Sequence, residues 1–86
     1  GIVAIVRHPV TVRGMANHAG TTAMPDRRDA LVAASEIVLA VNRIAASRQG
    51  NQVATVGILE VKPGAANVIP GRVDLMVEMR DLSRQT

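Results

Sequence analysis

The sequence predicts an α+β fold, an open antiparallel sheet built in the order β-α-β-β with one long helix on one face. Three observations carry that expectation. Residues 72–80 alternate, with Val73, Leu75, Val77 and Met79 set between Arg72, Asp74, Glu78 and Arg80, the period of a strand with one wet face. From Pro25 to about Ser47 the apolar period lengthens to that of a helix. Two further Val- and Ile-rich runs, residues 2–13 and 53–62, lie on either side of that helix.

In the first run Pro9 cannot donate to a ladder, so it implies an edge strand or a bulge, and His8 beside it reads as a loop group. Val10 and Val12 alternate with Thr11 and Arg13, and Gly14 ends or bends the strand. Pro25 suits a first helical turn, with Asp26 and Asp29 near its start and Arg43 and Arg48 near its close, each favoured by the helix dipole. Thr21 and Thr22 read as helix-entry hydroxyls, Arg27 and Arg28 as helix-surface residues, and Gly50 as the stop.

Leu31, Ala34, Ile37, Val38, Val41, Ile44 and Ala45 form one helix face, which Val32, Leu39 and Ala46 widen beyond a normal stripe. Such a helix is expected to pack on the sheet and on a second surface, that of a partner subunit. In residues 53–62, Val56 and Ile58 are expected on one side and Thr55, Gly57 and Leu59 on the other. Pro63-Gly64 and Pro70-Gly71 then enclose a turn-rich stretch. Met15, Met24, Met76 and Met79 are read as packing.

Composition narrows the functions. Eighty-six residues make one small domain, and a 48% apolar share without Phe, Tyr or Trp leaves its core to aliphatic side chains. The absence of cysteine excludes disulfides and thiolate chemistry. A charge of +3 spread along the chain, with no aromatics, argues against a nucleic-acid partner. No purely apolar run, Ile2 to Val6 included, is longer than five residues, too short to span a bilayer, so no membrane association and a cytoplasmic location are expected. The loop Asn17-His18-Ala19-Gly20-Thr21-Thr22 concentrates a histidine, a glycine and hydroxyls between a strand and a helix. No second cluster of His, Asp or Glu completes it, so it reads as half of a site.

Thr11-Val12-Arg13-Gly14, the loop 17–22, Arg28-Asp29-Ala30-Leu31, Thr55-Val56-Gly57, Asn67-Val68-Ile69-Pro70-Gly71 and Met79-Arg80-Asp81 together resemble a known family. It is the lid, or dimerisation, domain of the aminoacylase/carboxypeptidase-type metallopeptidases. The branch is that of N-carbamoyl-L-amino acid hydrolases, allantoate amidohydrolases and β-ureidopropionases. The resemblance implies a ferredoxin-like fold over residues 1–86 and a homodimer formed through the lid. It also implies a separate catalytic domain with two divalent metal ions, zinc or manganese above all, whose ligand motifs are absent from this chain.

By the same resemblance His18 polarises the scissile carbonyl, often from the neighbouring subunit. Asn67 and Arg80, thirteen residues apart, bind the substrate carboxylate. This chain alone is expected to bind no cofactor and to have no activity. It departs from the family at Ala23, where a proline is usual, and it stops at Thr86, before the second helix and fourth strand of the lid. The alternative is a stand-alone oligomerisation or small-ligand-binding module of the same fold. A lid from a dipeptidase or deacylase is a third possibility, which the Asn-His-Ala-Gly-Thr-Thr and Asn-Val-Ile-Pro-Gly motifs disfavour.

Overall fold

The computed structural model describes residues 4–48 and 50–81. Its elements are β1 (Ala4–Arg13), a 3-10 turn (Met24–Asp26), α1 (Ala30–Ser47), β2 (Gln52–Lys62) and β3 (Arg72–Asp81). The sheet order is β1-β3-β2, with β3 central and antiparallel to both neighbours. This is the predicted α+β architecture, consistent with part of a ferredoxin-like fold. Pro9 sits opposite Met76 on β1, an edge strand among the described residues, so its missing N–H interrupts no second ladder.

The strict alternation of β3 sets the layers. Val73, Leu75 and Val77 are buried beneath α1, where Ala30 and Ala34 let the helix backbone approach the sheet closely. Val10, Val12, Leu31, Val38, Val56 and Val61 pack around that cluster. The helix, 18 residues at mean hydropathy 1.5, is apolar enough by length and composition to cross a bilayer. Here its inner face lies on the sheet instead. Met79 continues the inward row but is 41% exposed, because an open apolar cleft remains between the sheet and the C-terminal half of α1.

Four local expectations are corrected. Asp29, not Pro25, starts the helix: its carboxylate accepts from the N–H groups of Leu31 and Val32 at 2.9 and 3.3 Å, and Pro25 lies in the separate 3-10 turn. Arg27 and Arg28 therefore precede the helix. In β2 the register shifts between Val56 and Ile58, a bulge at Gly57. Beyond it Ile58 faces Met76 on the open face, and Leu59 joins the row of Leu75. His8 is a mid-strand residue opposite Val77, not a loop group. Two of the four methionines contribute little packing: Met15 and Met24 are exposed, Met24 to 73%.

The wet face of β3 is a row of ion pairs. Arg72 and Thr11 donate to Asp74, and Lys62 lies 3.6 Å from it. Arg7 and Arg80 each donate from Nε to Glu78, at 2.9 and 3.0 Å. The hydrogen bond from Arg72, then that from Thr11, holds the Asp74 carboxyl below its ordinary range. Arg7, then Arg80, does the same for Glu78. Carboxyls lowered by folding stabilise the fold above their unfolded-state values, and that contribution is lost as pH falls through the folded ones. In an NMR titration both carboxyls should therefore titrate at lower pH than in unstructured peptides. The stability involved is small, because the groups are solvent-screened.

Candidate functional site

The site loop is built by continuing the β1–β3 pairing beyond the sheet. Gly14 N–H donates to Gly71 O, Ile69 N–H to Asn17 O, and Ala19 N–H to Asn67 O, each at 2.8 Å. His18 and Val68 form an antiparallel bridge in this looser ladder. A third strand of chain crosses at its base, where Met15 N–H donates to Arg28 O at 2.8 Å. A side chain at Gly14 would overlap that Arg28 carbonyl, so the crossing requires glycine. His18 and Asn67 are thus brought onto neighbouring strands, both exposed.

The ring of His18 is oriented from within its own loop. Its Nδ1 accepts from Gly20 N–H at 3.0 Å. In the neutral imidazole an accepting Nδ1 places the proton on Nε2, so the ring presents an N–H donor outward. A Cβ at Gly20 would come within 3.1 Å of His18 Cε1, so glycine lets the amide reach the ring without pushing it aside. The His18 carbonyl accepts from Thr22 Oγ1 at 2.8 Å and from Thr21 N–H at 3.3 Å. The two threonines therefore close the loop rather than cap the helix.

Arg80 stands apart from this pair. It lies eight positions along β3 from Arg72, which adjoins the loop, and at the rise of a strand that is roughly 26 Å. Its side chain is 43% exposed on the face opposite α1, with Nε on Glu78. Within one chain the structure therefore places His18 and Asn67 on paired backbone segments and leaves Arg80 at the far end of the sheet. Among the described residues no three His, Asp or Glu side chains come together to hold a metal ion. What the loop and strand offer is a ring N–H, an amide and a guanidinium. Sequence reasoning missed Arg27, whose guanidinium donates to the carbonyls of Ala19 and Thr22. The signal available was its position just before the Asp29 cap.

No family model matches the chain. It is 42% identical over 85 residues to the N-carbamoyl-L-amino acid amidohydrolase of Geobacillus stearothermophilus, covering 99% of this chain and 20% of that protein. It is 40% identical over 87 residues to the ureidoglycolate hydrolase of Arabidopsis thaliana, covering 95% of this chain and 18% of that one. Among solved structures, an amidase of the hydantoinase/carbamoylase family from Burkholderia multivorans superposes with a TM-score of 0.88 at 43% identity, over 94% of this chain and 20% of that chain. The chain thus spans about one-fifth of the length of these relatives. Agreement of sequence and backbone along almost the whole chain shows that it belongs to the hydantoinase/carbamoylase family of amidohydrolases, as the counterpart of one segment of them.

Proposed function

We propose that this chain is the substrate-binding and dimerisation lid of a metal-dependent amidohydrolase that cleaves N-carbamoyl-L-amino acids or related ureido acids such as allantoate. The observation that carries the reading is the exposed His18, whose Nδ1 accepts from Gly20 N–H and leaves Nε2 as the donor, on a loop whose backbone pairs with the segment carrying Asn67. In amide or ureide hydrolysis negative charge grows on the carbonyl oxygen, and a preoriented N–H donor stabilises it. Arg80 supplies a planar fork for a carboxylate, and Asn67 a neutral donor that fixes its orientation. The described residues offer no cluster of three metal-ligating side chains, and in this reading the parent enzyme's metal ions are held by its catalytic domain.

The separation of His18 from Arg80 makes this a two-subunit reading. In an N-carbamoyl amino acid the ureido carbon and the carboxylate carbon are three bonds apart, at most about 4 Å. One lid cannot serve both ends, so His18 and Asn67 come from one copy and Arg80 from the other. Two features support pairing of copies. Val32, Leu39 and Ala46 recur every seven residues on the outside of α1, with Leu39 59% exposed and Glu36 and Arg43 beside them. Antiparallel pairing about Leu39 sets Glu36 of each copy near Arg43 of the other. The outer edge of β2 has no partner strand among the described residues and offers its free ladder to the same neighbour. Such pairing brings the Arg80 end of one lid level with the His18 end of its twin.

The test is the need for a substrate carboxylate. The full-length parent should hydrolyse N-carbamoyl-L-amino acids, with kcat/KM for their methyl esters lower by about 10²-fold or more. Equal turnover of acid and ester would refute the carboxylate-binding role of Asn67 and Arg80.

A further inference from the structure

We propose that Arg27 is a positioning residue for His18. Its half-buried guanidinium bridges the two ends of the turn that carries the histidine's ring partner. Nη2 donates to Ala19 O at 2.6 Å and Nε to Thr22 O at 3.1 Å. Between those carbonyls lie Gly20, whose N–H holds the ring, and Thr21, whose N–H holds the His18 carbonyl. Ala19 is fixed from the other side as well, because its N–H donates to Asn67 O at 2.8 Å. The one guanidinium therefore locks the Gly20 amide, and with it the tautomer and direction of the imidazole, to the strand that carries Asn67.

Arg27 itself is placed by the 3-10 turn, its N–H donating to Met24 O at 3.2 Å and its backbone extended. A glycine-containing turn left unbridged would sample many orientations, and an ångström of misplacement at a reacting group is costly in rate. Both carbonyls that Arg27 reaches flank the Gly20 and Thr21 amides, so the bridge acts on the turn that holds the ring. Lysine cannot reproduce the bridge, because a single ammonium replaces a planar fork with two separated donors.

The inference rests on His18 acting on the substrate carbonyl, and a double-mutant cycle in the full-length enzyme separates the two claims. Arg27→Met should lower kcat about 10- to 50-fold with KM within about two-fold, and Arg27→Lys should recover part of that loss. In a His18→Ala background Arg27→Met should change kcat less than about two-fold, since the residue it positions is already gone. Unchanged kcat for Arg27→Met, or the same loss in both backgrounds, would overturn the positioning role. Where Arg27→Met fails to fold, the same comparison is made with Arg27→Lys. Full activity of His18→Ala alone would overturn the underlying reading of His18 and this inference with it.

Discussion

Replacing His18 by alanine in the full-length enzyme is expected to lower kcat by about 10²- to 10³-fold while KM changes little. The asymmetry follows from where the donor acts. An N–H aimed at a carbonyl oxygen forms its strongest bond when that oxygen carries charge, and the bound ground state gains far less from it. The substitution should leave the loop in place. Its anchors are the Ala19–Asn67 and Ile69–Asn17 backbone bonds, the Thr22 hydroxyl on the His18 carbonyl, and the Arg27 bridge. None of these uses the imidazole. Steady-state kinetics beside a thermal melt checks the point: a loss below about tenfold, or one confined to KM, contradicts the proposed role.

Arg80→Ala should act on the other parameter, raising KM for the ureido acid by about 10- to 10²-fold and lowering kcat less. A carboxylate remote from the reacting bond is held about equally in ground and transition states, so its loss appears as weaker binding. Glu78 keeps its bond to Arg7, so the sheet face does not acquire an unpaired carboxylate. Arg80→Lys restores charge without the planar fork and should recover only part of the affinity. Substrate titration of initial rates separates these outcomes. An unchanged KM in Arg80→Ala would remove the residue from the site.

The parts of the fold legible in the sequence are those in which one periodicity governs every position. β3 alternates at every position but Met76 and was readable to within a residue of its ends, and the broad apolar face of α1 was readable as a helix that packs on the sheet. Legibility failed where single residues had two physical uses. Gly57 is equally at home in a regular strand and at a bulge, and only the pairing with β3 shows that Ile58 and Leu59 have exchanged faces. Pro25 is as good an opening for a 3-10 turn as for an α-helix, so the true cap at Asp29 lay hidden behind it. The same misreading assigned Arg27 and Arg28 to a helix surface, which concealed the bridge to the His18 loop.

Of the candidate site, the identities of His18, Asn67 and Arg80 came from motif resemblance, and the backbone adds their arrangement. The ladder beyond β1 and β3 makes neighbours of the first two. The length of β3 holds the third away from them. Sequence separation alone does not show this, because residues joined by a turn can be neighbours while residues at opposite ends of one strand cannot.

The most direct test of a site shared between two lids is a mixed dimer of His18→Ala and Arg80→Ala subunits. Each homodimer lacks one group from both of its sites. In the mixed dimer one site takes His18 from one subunit and Arg80 from the other, both intact, while the second site lacks both. Random exchange of equal amounts makes about half the dimers mixed, so at substrate well below the wild-type KM about one-quarter of wild-type turnover should return. With subunit exchange verified, turnover that stays at the level of the two parent variants would mean that each site draws His18 and Arg80 from the same chain, contradicting the two-subunit account.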